Sequence, residues 1–155
     1  MRVVLQRVAW AAVAVDGDEI ARIGPGLLAL VGVADGDDAA AAERLARKTV
    51  RLRLFGDEER GFERSLLDTG GELLCVSQFT LHGDVRRGNR PSWSAAAPPE
   101  RAAPLVDAYA DHVAAEGVAV ARGRFGAMMA VSLVNDGPVT LILDSRDFDI
   151  PRRAA

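Results

Sequence analysis

The strongest constraint on this chain is a succession of short, apolar, β-prone runs cut apart by Gly, Pro and Asp. Val3-Val4-Leu5 and Val13-Ala14-Val15 are separated from Ile20-Ala21-Arg22-Ile23 by Asp16-Gly17-Asp18, and Leu27 to Val33 follows Gly24-Pro25-Gly26. Leu73 to Val76, Val118 to Val120, Met129 to Val134 and Val139 to Leu143 repeat the pattern further along. Runs of this length, bounded by turn formers, read as strands. Two stretches have helical period instead. Asp37-Asp38 is suited to cap a helix that places Leu45, Thr49 and Leu52 on one face; Pro98-Pro99-Glu100 opens another, with Ala102, Leu105, Val106, Tyr109 and Val113 at helical spacing and Gly117 at its end. Gly56 to Gly61 reads as an exposed hairpin or loop and Asp68-Thr69-Gly70-Gly71 as a turn. The expected fold is α+β: a single domain over residues 1–155, with a strand-rich sheet or partial barrel and two longer helices.

Composition narrows the function classes. Of the 155 residues, 49% are hydrophobic and 26% charged, the balance of a soluble globular chain, and no apolar run approaches the roughly 20 residues of a membrane span. Arg2 and Arg7 put charge too early for a signal peptide, so a cytoplasmic protein with no membrane partner is expected. The net charge of −3 argues against nonspecific coating of nucleic acid, so any RNA contact must come from local patches.

The usual catalytic groups are scarce. The two histidines, His82 and His112, have no cysteine or carboxylate at metal-ligand spacing, so no metal and no cofactor is expected. There is no Gly-x-Ser-x-Gly elbow and no third member for a Ser77, His82 and acid set. Glu58-Glu59 and Asp35 with Asp37 fall in loops or helix starts, where carboxylates are solvated or capping. Cys75 lies in the apolar run Leu73-Leu74-Cys75-Val76 and reads as a small core residue. An enzyme built from these parts works without a strong side-chain base, which restricts it to substrates already activated.

Two segments stand out. Ser77-Gln78-Phe79-Thr80-Leu81 ends a buried strand, where backbone N–H groups can serve as an oxyanion hole worth roughly 3 to 4 kcal/mol per donor. Asn135-Asp136-Gly137-Pro138-Val139-Thr140 is by itself a turn between two strands.

Together, Ser77-Gln78-Phe79-Thr80 and the Asn-x-Gly-Pro-x-Thr segment resemble the two signatures of the D-aminoacyl-tRNA deacylase family. The likeness extends through Val3-Val4-Leu5-Gln6-Arg7-Val8, Gly26-Leu27-Leu28, Ser65-Leu66-Leu67-Asp68, Arg90-Pro91-Ser92 and Gly123-Arg124-Phe125-Gly126. The resemblance implies that family's fold and a homodimer with active sites at the subunit interface. It implies an editing esterase that hydrolyses D-aminoacyl-tRNA, and glycyl-tRNA, to free amino acid and tRNA. Ser77, Gln78, Phe79 and Thr80 would form the catalytic pocket for the ester and the 3′-terminal adenosine of the aminoacyl-tRNA, whose 2′-hydroxyl assists water. Gly137 and Pro138, joined by a cis peptide and supplied by the partner subunit, would exclude L-residues, with Asn135 and Thr140 as substrate-binding residues. The chain departs from the family pattern at Phe62-Glu63, Met128, Ala9 and Trp10.

Two alternatives remain. One is a sister editing deacylase that removes a small L-amino acid and is marked by a trans Gly-Pro; Ser77, where that type has Pro, argues against it. The other is a noncatalytic RNA-binding module using Arg86, Arg87, Arg90, Arg122 and Arg124 on phosphates.

Overall fold

The computed structural model describes residues 1–56 and 61–149. Most of the loop expected at Gly56 to Gly61, with Glu58-Glu59, therefore lies outside the described residues. The sheet is organised around the long strand β1 (Arg2–Val15). It pairs antiparallel with β2 (Asp18–Ile23) through residues 11–15 and with β3 (Gly26–Gly32) through residues 2–8. The chain crosses α1 (Ala39–Arg51), the short antiparallel pair β4 (Arg53–Phe55) and β5 (Arg64–Ser65), and α2 (Leu66–Thr69). It then returns as β6 (Glu72–Ser77), parallel to β3. A 3-10 turn over Phe79–His82 and the helix α3 (Pro99–Ala115) lead to β7 (Val120–Arg122), parallel to β6. Last comes β8 (Met129–Asp144), antiparallel to β1 along nearly its whole length, then a 3-10 turn over Ser145–Asp149.

Both faces of the sheet are buried, which explains the near-continuous apolar runs. Side chains alternate along β3 and β6: Leu27, Ala29, Val31, Leu73 and Cys75 join the core beneath α1 and α3. Leu28, Leu74 and Val76 point the other way, into a second core with Val8, Ala11, Val13 and Ile23. The sheet curls around this second core until β2 lies against β6 and β7, giving the partial barrel expected from sequence.

The helices form where periodicity placed them, except that α1 stops at Arg51 and leaves Leu52, expected on its face, as an extended C-cap residue. Asp38 caps α1, its carboxylate accepting from the Ala41 N–H at 2.8 Å. Leu45, Ala46, Thr49 and Val50 are buried, and the Thr49 hydroxyl bonds the buried Tyr109 hydroxyl of α3 at 2.9 Å. No helix among the described residues is long and apolar enough to cross a membrane.

Two local expectations need correction. The turn at Asp68-Thr69-Gly70-Gly71 begins inside a helical turn, because Ser65 and Asp68 form a reciprocal capping box that starts α2 and Gly70, in the left-handed region, stops it. The strands flanking Asn135-Asp136-Gly137-Pro138 are one strand, β8, interrupted by a bulge rather than reversed by a hairpin. Val8 pairs with Asn135 and Gln6 with Thr140, so residues 136–139 bulge out opposite Arg7 alone.

Candidate active site

The first signature segment begins at the end of β6. Parallel pairing continues through Val31 with Ser77, and the Gln78 N–H donates to the Val31 carbonyl at 2.8 Å. The backbone then leaves the sheet at Gln78 and closes a 3-10 turn, with bonds from Leu81 N–H to Gln78 and from Gly83 N–H to Thr80. The N–H groups of Phe79 and Thr80 open this turn and have no acceptor within it. No side chain caps the turn, and the Gln78 amide is engaged by the Thr80 hydroxyl instead.

Beside this turn is a cavity of about 390 Å³. Ser77 and Phe79 line it from the signature, Val31 from β3 and Val33 from just beyond it, and Ala102 and Val106 from α3. Trp93 and Phe125 complete its wall. Phe79 and Trp93 meet edge to face with ring centroids 5.4 Å apart, both substantially exposed. Gly83 makes this possible: a Cβ there would stand 2.6 Å from the Trp93 ring. The cavity is an apolar slot with an aromatic mouth and with N–H donors near its edge. It suits a planar apolar group joined to an ester better than a free charged molecule.

The ionisable groups nearby offer no strong base. Burial pushes the Cys75 thiol up to about 12, so no thiolate is available. His82 is buried at the end of the 3-10 turn; burial holds its imidazole below the ordinary histidine value, and its Nε2 has no hydrogen-bond partner among the described residues. No three His, Cys, Asp or Glu side chains among the described residues cluster to hold a metal.

The second signature lies elsewhere on the chain. β1 and β3 separate β8 from β6, and neither Gly137 nor Pro138 lines the cavity beside Ser77. The bulge is held from inside. Asn135 donates from one amide nitrogen to the carbonyls of Arg7 at 2.9 Å and Val139 at 3.0 Å, closing its neck. Thr140 accepts from the Gln6 amide at 3.2 Å. The Arg7 guanidinium reaches under the bulge to the Asp136 carbonyl at 3.1 Å and the Leu54 carbonyl at 2.6 Å. Gly137 has φ +110°, and a Cβ on it would stand 2.2 Å from an Arg7 nitrogen, so any other residue would be strained and would displace the guanidinium. Asp136, Gly137 and Pro138 are exposed.

The peptide between Gly137 and Pro138 is trans; no cis peptide occurs among the described residues. This corrects the expected cis bond. The change of direction comes from the bulge and the positive φ of Gly137, and trans is the ordinary preference before proline by about 0.5 to 1 kcal/mol.

Comparison with known proteins decides what this arrangement belongs to. The family model for D-Tyr-tRNA(Tyr) deacylase matches residues 4–144. The chain belongs to that family. A D-aminoacyl-tRNA deacylase of Roseiflexus sp. (strain RS-1) is 60% identical over 152 residues, covering 98% of each chain. A solved structure of the c-Myc DNA Unwinding Element Binding Protein matches with a TM-score of 0.87 at 38% identity, over 93% of this chain and 98% of its own. A second, of a probable eukaryotic D-amino acid tRNA deacylase, has a TM-score of 0.76 at 20% identity, over 92% and 97%, and shows the fold alone. The chain is thus a deacylase of D-aminoacyl-tRNA, with aminoacyl-tRNA as substrate.

Within that family, two site residues escaped the sequence reading. Arg7 has a charged side chain only 13% exposed, in a strand whose other residues apart from Arg2 and Gln6 are apolar, a signal that it serves something internal. Trp93 is a large aromatic in a Ser- and Pro-rich loop, where no core demands it.

Proposed function

We propose that the cavity beside Ser77 receives the 3′-terminal adenosine of a D-aminoacyl-tRNA, and that the Phe79 and Thr80 N–H groups stabilise the oxyanion as water attacks the ester. An aminoacyl ester is already activated, so orientation and two preorganised donors can supply the acceleration that no side-chain base provides here. The terminal 2′-hydroxyl of the substrate helps position the water. Glycyl-tRNA, having no side chain to exclude, is hydrolysed as well.

Gly137 and Pro138 act as the chirality gate of this reading, on the cavity of a second copy of the chain. What carries it is the separation of the two signatures: the cavity beside Ser77 is lined by neither Gly137 nor Pro138, and the exposed bulge borders a different hollow, lined by Arg7, Phe55 and Asp136. β8 pairs with β1 on one side only, and Val134, Leu141 and Ile142 are exposed along it, a long edge suited to a homodimer. Gly137 permits close backbone approach, while Arg7 and Asn135 keep the bulge stiff enough to reject an L side chain by collision. Asn135 and Thr140 serve the substrate through this stiffness.

The trans Gly137–Pro138 peptide favours a second reading, removal of a small L-amino acid. Ester loss from matched D- and L-tyrosyl-tRNA and L-alanyl-tRNA separates the two. Rapid loss from the D-ester with both L-esters spared is expected. Equal rates on D- and L-tyrosyl esters would remove the gate from the account, and preference for L-alanyl-tRNA would establish the second reading.

A further inference from the structure

Most arginines in this protein are already committed. Arg22 pairs with Glu19, Arg47 with Glu43, Arg51 with Glu116, Arg101 with Asp35, Arg122 with Asp111 and Arg146 with Asp144. Of the five arginines that suggested phosphate contacts in the sequence, the same sorting removes two. Arg122 is held by α3 carboxylates at 2.6 and 3.6 Å. Arg86 forms two bonds with the Asp84 carboxylate, at 2.9 and 2.6 Å. The guanidinium groups of Arg87, Arg90 and Arg124 are exposed and have no partner among the described residues.

Arg87 lines a hollow next to the cavity, and Arg90 and Arg124 lie within two residues in sequence of side chains that line the hollow or the cavity. Arg87 and Arg90 belong to a loop closed at its base by two backbone bonds between Asp84 and Ser92, at 2.8 and 2.9 Å. Asp84, Arg86, Arg87 and Ser92 line an open hollow of about 510 Å³. The next residue, Trp93, lines the apolar cavity, so hollow and cavity adjoin through Ser92 and Trp93. Arg124 precedes Phe125 on the cavity wall. In a chain of net charge −3, three arginines without an ion pair among the described residues thus fall on the two segments that supply Trp93 and Phe125 to the cavity.

We propose that Arg87, Arg90 and Arg124 form a clamp for the phosphodiesters of the single-stranded RNA end whose terminal nucleoside fills the cavity. This rests on the adenosine reading of the cavity above. Arg86 neutralises Asp84, the one carboxylate lining the hollow, so that its charge does not repel the passing strand. Guanidinium forks match phosphate oxygens without reading bases, so the clamp sets the depth and direction of the RNA end and not its sequence.

The test compares the full-length protein with Arg87→Ala/Arg90→Ala/Arg124→Ala and with Arg22→Ala/Arg47→Ala/Arg51→Ala, which removes equal charge elsewhere. Binding of uncharged tRNA is followed by fluorescence anisotropy against salt. The clamp triple is expected to weaken binding about tenfold or more at low salt, and to flatten the dependence of log K on log salt by about 2, since each single-strand phosphate contact contributes about 0.7. The remote triple keeps the parent slope. On D-tyrosyl-tRNA the clamp triple raises KM and leaves kcat unchanged, while 3′-D-tyrosyl-adenosine, which has no phosphodiester, is hydrolysed at the parent rate. An unchanged slope, an equal effect from both triples, or an equal loss on tRNA and nucleoside esters overturns the clamp. If the parent protein hydrolyses neither ester, the deacylase reading of the cavity falls, and the salt slopes still decide the clamp by themselves.

Discussion

Gly137 is the residue on which the gate turns. Alanine there would have to hold φ +110°, which costs a residue with a Cβ about 1 to 2 kcal/mol, and would displace the Arg7 guanidinium from the Asp136 and Leu54 carbonyls. The fold should survive, because Gly137 is exposed and belongs to neither core. Gly137→Ala is therefore expected to lower the D-to-L rate ratio on tyrosyl-tRNA at least tenfold with a Tm loss of a few degrees; an unchanged ratio would remove Gly137 from the gate. Cys75 is the opposite case. Its thiol is buried and pushed up to about 12, chiefly by desolvation, so it is neither nucleophile nor ready target of alkylation. Cys75→Ser should leave kcat/KM within about twofold while costing some stability through the buried hydroxyl, a loss of about 1 to 3 kcal/mol by denaturant titration. A collapse of kcat in a protein that remains folded would restore a thiol mechanism.

At the scale of elements, β8 carries most of the functional argument. It is a sixteen-residue strand whose side chains alternate between half-buried and exposed until the bulge, and whose outer edge has no partner among the described residues. Ile142, 67% exposed, is the position to charge. Ile142→Arg is expected to shift the protein from dimer to monomer by light scattering and to abolish chiral discrimination with it; a dimer of unchanged affinity would move the interface elsewhere. This strand also shows what the sequence could and could not convey. Alternation and turn residues marked its two halves and the Asn135–Thr140 interruption, because these are local properties of φ/ψ preference. Whether Gly137-Pro138 reverses the chain or bulges from a continuing strand depends on β1, more than a hundred residues earlier, and no local signal carries that. The 3-10 turn at Phe79 was legible as a strand end with unpaired N–H groups. The cavity beside it was not, because Trp93, Val106 and Phe125 reach it from separate elements. Arg7 was visible only as part of a matching run, since its role is set by the bulge it supports.

At the scale of the whole molecule, two buried polar groups, Asp144 and His82, make stability depend on pH. Asp144, buried at the end of β8, accepts from Arg146 and Arg2, and those bonds hold its carboxyl well below the usual range. Its contribution is present above the unfolded value of about 4 and is lost as pH falls through the folded one. His82 is held below 6.5 mainly by burial, so in mildly acid solution the unfolded chain takes up a proton before the folded chain does. Stability should therefore fall as pH drops from about 6.5, with a further loss in strong acid. Thermal melts across this range test the sign, and His82→Gln should flatten the first part of the curve; a Tm that rises on acidification to pH 5.5 contradicts it.

The central claim is that each working site takes its pocket from one copy and its gate from the other. It is tested most directly in a purified heterodimer of Ala97→Trp, which fills the cavity beside Ser77 but keeps an intact bulge, and Gly137→Ala, which keeps an intact cavity. The one open pocket then faces the unaltered gate of its partner. The heterodimer is expected to hydrolyse D-tyrosyl-tRNA and spare L-tyrosyl-tRNA, although the Gly137→Ala homodimer hydrolyses both. Hydrolysis of the L-ester by the heterodimer at half the rate of that homodimer would show that the gate acts within its own chain, and would contradict the account.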